Sequence, residues 1–159
     1  MKTTQTKPDL VYTTYIRSTP QKVWNAITNP EFTDQYWGGQ INRSDWKPGS
    51  PWQHGPRDQE DDIWVSGLVV ESVPPTRLVL TWADPDAPED LSRVTFLLAA
   101  EDDLVRLDVI HGDFVPDSVM AGKVSQGWPR VLSSLKSFLE TGQGLPLGCK
   151  SNAAHAAAS

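Results

Sequence analysis

Apolar residues recur along this chain with two periods, and each period marks a kind of element. Residues 10–17, LVYTTYIR, are rich in aromatic and β-branched side chains and predict a first strand. In the following STPQKVWNAITNPEF, Val23, Trp24 and Ile27 share one helical face. Ser18 and Gln21 have capping-box spacing, and Thr19 with Pro20 offers a second start signal. Asn29 precedes a proline and avoids the helical region, which ends this short helix. Pro30 can then open a second, through Phe32 and Tyr36.

From Gly38 to Gly55 turn formers are dense, and INRSDW and SPWQHG read as strands separated by the turn Lys47-Pro48-Gly49. Residues 63–73, IWVSGLVVESV, predict a strand that turns at Pro74-Pro75 into RLVLTW, with Leu78, Leu80 and Trp82 on one face. After DPDAPED, the segments SRVTFLLAA and LVRLDVIHGDF make another hairpin around Asp102-Asp103. In its second strand Val105, Leu107, Val109 and His111 lie opposite Leu104 and Arg106. Beyond Pro116 the period lengthens: Met120, Val124, Trp128, Val131, Leu135 and Phe138 follow at steps of 4, 4, 3, 4 and 3, one face of a long helix that Leu132 and Leu139 widen. Pro129 removes a backbone donor within it and predicts a kink or restart near Gly127-Trp128. The remainder, TGQGLPLGCKSNAAHAAAS, has few large apolar residues to offset ordering entropy. The expected division is a flexible start over 1–9, one domain over 10–141 and a disordered tail over 142–159.

This order of elements is α+β: a strand, two short helices, a run of antiparallel strands and one long helix. A single amphipathic helix rarely fills the hollow of a strongly bent sheet, so a pocket between them is expected. Seven Trp against four Phe and three Tyr strengthen that expectation, six of them lying between Trp37 and Trp128. An indole suits walls that are partly apolar and partly wet, although plain core packing also accounts for any single one.

The strings VYTTYIRSTPQKVWNAITNPEFTDQYWGG, GLVVESVPPTRLVLTW, SRVTFLLAAEDDLVRLDVIHGDF and QGWPRVLSSLKSFLETG, taken in order, resemble the activator-of-heat-shock-protein-90-ATPase homologue-like family of the SRPBCC (START-like) superfamily. The resemblance spans roughly residues 10–141 and implies a helix-grip fold, a curved seven-stranded antiparallel sheet around the terminal helix with a cavity opening beside the two short helices. Unlike the fuller co-chaperone members, the chain is expected to lack the separate amino-terminal domain of the eukaryotic activators. It looks like the stand-alone bacterial members, which resemble ligand-binding domains more than regulators.

Charge and motifs narrow the chemistry. Fourteen Lys and Arg against 20 Asp and Glu give a net charge of −6, which disfavours nucleic acid and anionic membranes. Cys149 is the single cysteine, so no internal disulfide forms, and a reduced, cytoplasmic setting is expected. The amino terminus has no apolar signal-like run, and the longest nearly apolar stretch, Val94 to Ala100, is too short to span a bilayer. No metal site is expected: Asp58–Asp62 lacks the alternating oxygen ligands around a glycine that calcium requires, and three scattered histidines match no metal-ligand spacing. GxSxG and SxxK are absent. Gly122-Lys123 lacks the upstream glycine and following hydroxyl of a phosphate loop, since Asp117 and Val124 stand there. Asn42-Arg43-Ser44 matches a glycosylation acceptor by chance.

Of the histidines, His111 sits on an inward strand face, where it can orient a polar ligand group or act as a base, or simply be a hydrogen-bonded structural residue. Asp113, two positions on, faces the same way in an extended strand. His54 reads as part of an exposed loop near the pocket mouth, and His155 has no role. The candidate pocket residues are Tyr36, Trp37, Trp46, Trp52, Trp64, Leu80, Trp82, Phe96, His111, Met120, Val124 and Trp128. The leading expectation is a cofactor-free protein that binds a small apolar molecule. A protein-interaction or co-chaperone-like module ranks second, and a cyclase- or hydrolase-like enzyme using His111 with Asp113 or Glu71 ranks third. Homodimerisation stays open.

Overall fold

The computed structural model describes residues 8–147. In chain order the elements are β1 (Leu10–Ile16), α1 (Pro20–Thr28), α2 (Pro30–Tyr36), β2 (Gln40–Ser44), β3 (Pro51–Pro56), β4 (Val65–Val73), β5 (Arg77–Trp82), β6 (Ser92–Glu101), β7 (Leu104–Gly112) and α3 (Val119–Thr141). The strands form one curled sheet in the order β1-β7-β6-β5-β4-β3-β2, every pairing antiparallel. From β2 to β7 each strand pairs with the next in sequence. β1 instead closes on β7, so the α1–α2 corner carries the chain from one sheet edge to the other. This is the helix-grip architecture, with α3 as its long helix.

Strand alternation selects the concave face. Val105, Leu107, Val109 and His111 of β7, Val94, Phe96 and Leu98 of β6, and Leu78, Leu80 and Trp82 of β5 are all buried. The register sets Leu80 opposite Val94 and Phe96 opposite Val109, so these side chains meet in rows across the sheet. The apolar stripe of α3 lies in the same core, with Met120, Val124, Trp128, Val131, Leu132 and Leu135 buried.

Local chemistry fixes the helix ends. Of the two start signals for α1, Thr19-Pro20 prevails: Thr19 Oγ1 accepts from the Lys22 N–H at 3.3 Å and Pro20 takes the first helical position. The start of α3 is held by Ser118, whose Oγ accepts from Ala121 N, and by Asp90 from the β5–β6 loop. The Asp90 carboxylate accepts from the Ser118 hydroxyl at 2.6 Å and from the N–H groups of Val119 and Met120 at 3.0 and 2.9 Å. It thereby satisfies donors that a helix start leaves open and opposes the positive end of the helix dipole.

Two sequence expectations are corrected. Of the kink or restart expected at Pro129, the restart is overturned: α3 is one helix from Val119 to Thr141 with Pro129 inside it. Proline at 129 deprives the Ser125 carbonyl of its helical donor, and the Tyr12 hydroxyl of β1 supplies one at 3.2 Å. The first residues assigned to the tail are also anchored: after Gly142 ends α3 with φ 89°, the chain turns back along the helix. The Leu145 N–H donates to Ser134 Oγ at 2.8 Å, Arg130 donates to the Leu147 carbonyl at 3.0 Å, and Leu147 packs on the core. The rest of the expected tail lies outside the described residues, as does most of the expected flexible start. No helix among the described residues is long and apolar enough to cross a membrane.

Candidate functional site

The last inward position of β7 places His111 under α3, wholly buried. Trp128, from the facing side of α3, donates its indole N–H to His111 Nδ1 at 3.0 Å. An indole can only donate, so Nδ1 is the bare nitrogen and Nε2 carries the proton. Nε2–H then donates to Ser92 Oγ at 2.8 Å, and the Ser92 hydroxyl donates to the Trp82 carbonyl at 3.2 Å. Phe114 stacks on the imidazole with centroids 5.0 Å apart. Burial pushes the His111 pKa down to about 3, so the ring is neutral at physiological pH. Its one lone pair is already engaged, and the proton it shares with Ser92 points the wrong way to activate that hydroxyl.

Asp113 does not join it. Its backbone turns into the left-handed region at φ 57°, which ends the strand alternation, and its largely exposed carboxylate lies 3.6 Å from Arg93. Glu71, the other proposed acid, is on the surface in a pair with Arg77 at 3.0 Å. The expected His111–Asp113 geometry is therefore absent.

His54 is likewise corrected, from an exposed loop to a buried position in β3. It shares an inward face with Trp52, two residues before it. Its Nδ1 lies 2.8 Å from Asn42 Oδ1, and the Asn42 amide N–H is committed to the Ile27 carbonyl at 3.0 Å, so His54 Nδ1–H is the donor. Nε2 lies 3.2 Å from Gln40 Oε1. Gln40 and Asn42 reach His54 because β2 and β3 pair with Asn42 opposite His54. Sequence reasoning had given neither amide a place in the pocket. The available signal was the i, i+2 spacing of Gln40 with Asn42 and of Trp52 with His54 on paired strands.

Most of the predicted pocket residues meet around these two imidazoles. Trp37, at the end of α2, lies 4.8 Å from His54 and 5.8 Å from Trp128 between ring centroids. Trp82 lies 5.2 Å from Trp52, 5.3 Å from His111, 5.5 Å from Trp128 and 6.5 Å from His54. Phe96 meets Trp128 edge-on at 5.8 Å, and half-buried Trp64 meets His54 at 6.3 Å. Leu80, Met120 and Val124 belong to the same buried core. Tyr36 is at the margin, stacked on Phe138 at 6.0 Å with its hydroxyl donating to the Ala26 carbonyl. Burial pushes that phenol up, against a smaller downward effect of Thr33. Trp46 stands apart: it is held at φ 60° and its indole donates to the Thr28 carbonyl at the end of α1.

Five of the indole N–H groups fall into two sets. Those of Trp46, Trp52 and Trp128 donate to Thr28 O, Thr81 O and His111 Nδ1. Those of Trp37 and Trp82 are buried without a hydrogen-bond partner among the described residues. A separate cleft of about 300 Å³ opens beside the short helices, lined by Lys22, Asn25, Ala26, Phe32, Phe138, Leu139 and Gly142. None of the twelve predicted pocket residues lines it.

Known structures share this architecture. The solution structure of the Aha1 dimer from Colwellia psychrerythraea has a TM-score of 0.69 at 18% identity, over 87% of this chain and all of that one. The crystal structure of CalU16 from Micromonospora echinospora has a TM-score of 0.67 at 22% identity, over 87% of this chain and 77% of that one. PFC0360w, an HSP90 activator from Plasmodium falciparum, has a TM-score of 0.63 at 20% identity, over 76% and 86%. At such identities these likenesses concern the fold. No curated protein matches the chain in sequence. The sequence match that reaches beyond fold covers residues 17–140, from the end of β1 to the last turn of α3, and by it the chain belongs to the family of activator of Hsp90 ATPase homolog 1-like proteins.

Proposed function

We propose that this chain is a non-enzymatic binding protein that holds a small, largely apolar molecule between the concave face of the sheet and α3. The observation that carries the reading is the pair of buried indole donors, Trp37 and Trp82, without a hydrogen-bond partner among the described residues, inside a ring cluster built from β3, β5, β6, β7, α3 and the end of α2. A core that only packs leaves very few such donors, because each costs roughly 1–3 kcal/mol when desolvated without a partner. The engaged lone pair of His111 and the surface positions of Asp113 and Glu71 favour a carrier over a cyclase or hydrolase. The lone cysteine favours a cytoplasmic setting.

A second reading, an interaction module with a protein partner or a second copy of itself, draws on a different surface. Phe32 is partly exposed beside Phe138 in the cleft at the short helices. Relatives of the same fold are described as an HSP90 activator and as a dimer. Native mass spectrometry of protein purified from its own host separates the two readings. A retained small molecule supports the carrier, whereas a ligand-free protein bound to a partner chain supports the module and overturns it.

A further inference from the structure

We propose that the cleft beside the short helices is a separate site for a small amphipathic carboxylate, whose acid group Lys22 receives and whose apolar body lies on Phe32, Phe138 and Leu139. The cleft is apart from the hollow of the sheet: its lining comes from α1, α2, α3 and the Gly142 cap, and no strand contributes. Its volume of about 300 Å³ suits about ten non-hydrogen atoms at ~30 Å³ each. Four lining residues, Ala26, Phe32, Phe138 and Leu139, are apolar, and Phe32, 36% exposed, tilts against Phe138 with centroids 6.4 Å apart. Covering such a wall with alkyl carbon removes apolar surface from water.

Lys22 gives the cleft its sign, as the one charged residue of the lining. Among the described residues its ammonium has no hydrogen-bond or ion-pair partner, and only its backbone N–H is engaged, by Thr19. Glu140, which follows Leu139 in α3, does not serve it: that carboxylate accepts from Lys136 Nζ at 2.7 Å and from the Arg17 N–H at 2.8 Å. Lys22 also stands in the first turn of α1, which carries no acidic residue. A helix start favours negative charge, so an anion at Lys22 answers the side chain and the helix dipole together. Asn25 lies one turn on, and its Oδ1 accepts from Gln21 Nε2 at 2.9 Å, which leaves its N–H₂ group to donate. Gly142 offers the cleft no donor, because its N–H is bonded to the Phe138 carbonyl at 2.8 Å. One cation and one amide donor above apolar walls match a single carboxylate on a hydrocarbon body; a polyanion would leave most of its charge without a partner.

The test titrates the full ¹⁵N-labelled chain with octanoate, 1-octanol and octylammonium, which share one alkyl chain and differ in the charge of the head. Octanoate should shift the amides of Lys22, Asn25, Ala26, Phe32, Leu139 and Gly142 and leave the indole resonances of Trp37 and Trp82 in place. It should bind about twofold to fivefold more tightly than 1-octanol, the worth of one exposed ion pair, and added salt should shrink that margin. Octylammonium should bind most weakly. Lys22→Met, which keeps an unbranched apolar stem, should remove the margin, whereas Lys22→Arg should retain it. Phe32→Ser should weaken octanoate and 1-octanol alike. Equal binding of the three probes, or a margin that survives Lys22→Met, overturns the carboxylate assignment. Shifts confined to the ring cluster overturn the cleft as the site and support the carrier reading, and no shift with any probe overturns the site while leaving the carrier reading to native mass spectrometry. A partner chain recovered with the host-purified protein and shielding these same amides overturns the small acid as occupant and supports the interaction module.

Discussion

A buried imidazole that must stay neutral ties stability to pH, and His111 gives that link a definite sign. Its folded pKa is about 3, against an ordinary value of 6.5, because burial penalises the cation. Below the ordinary value the unfolded chain takes up a proton that the folded chain refuses. The stabilisation is therefore complete above the ordinary value and is lost as pH falls toward the folded one, by about 1.4 kcal/mol per unit for one proton. Urea unfolding at pH 7 and pH 5 should show a loss of about 2 kcal/mol, and His111→Gln, less stable at pH 7, should show a flatter fall. Ring ¹⁵N shifts at pH 5 should still report a neutral Nε2–H tautomer; an imidazolium there would contradict the Trp128–His111–Ser92 chain. At this scale the inward side of β7 was readable from Val105, Leu107, Val109 and His111, since strand alternation needs only their spacing. What could not be read was the partnership. Ser92 and Trp128 are 19 and 17 residues from His111 in sequence, and a hydrogen bond across such gaps leaves no local pattern. For Asp113 the alternation was extended two residues too far, past the point where the backbone leaves the strand at φ 57°.

Proline 129 shows how an element can break a local rule and be repaired from outside. Sequence alone places a missing donor in the middle of an amphipathic helix, and the restart it suggests is the sound local inference. The repair comes from β1, whose Tyr12 hydroxyl reaches the freed Ser125 carbonyl. Tyr12 looks like any strand aromatic in the sequence, because its function depends on a residue 113 positions away. A double-mutant cycle makes this quantitative. Tyr12→Phe should cost about 1 kcal/mol, the usual net worth of a hydrogen bond to a carbonyl that is otherwise left without a partner. Pro129→Ala restores the helical donor, so Tyr12→Phe in that background should cost clearly less, and the difference read from urea midpoints is the coupling. Equal costs in the two backgrounds would show that the hydroxyl does not compensate for the proline. The short helices, by contrast, were legible at both ends, because Thr19-Pro20 and Asn29-Pro30 carry their caps within a few residues.

For the molecule as a whole, the order of strands and helices was written in local patterns, since a meander pairs neighbours and each hairpin announces its own turn. Composition misled at the carboxy terminus. The segment after Thr141 is poor in large apolar side chains taken as a whole, yet its first residues, 142–147, carry Leu145 and Leu147 and are held by bonds from their backbone to α3 side chains and by close passage over α2, neither of which composition records. Gly144 marks that passage: a Cβ there would lie 2.5 Å from the Gln35 carbonyl oxygen and 2.8 Å from Tyr36 Cα. These are backbone atoms of a short helix packed on the core, so they cannot yield cheaply. Gly144→Ala must therefore lift the strap or displace α2, which should lower stability by about 1–3 kcal/mol, the range for overpacking a tight contact. The two responses differ in hydrogen exchange. If the strap lifts, the Leu145 N–H loses its Ser134 partner and exchanges faster while the amides of α2 keep their protection. If α2 moves instead, Trp37 at its end shifts against His54, and the indole resonances of the ring cluster move with it. Lifting is the expected outcome, because the strap rests on few bonds whereas Tyr36 and Trp37 lie in the core. A stability equal to that of the parent chain would show that residues 142–147 do not pass over α2 in solution.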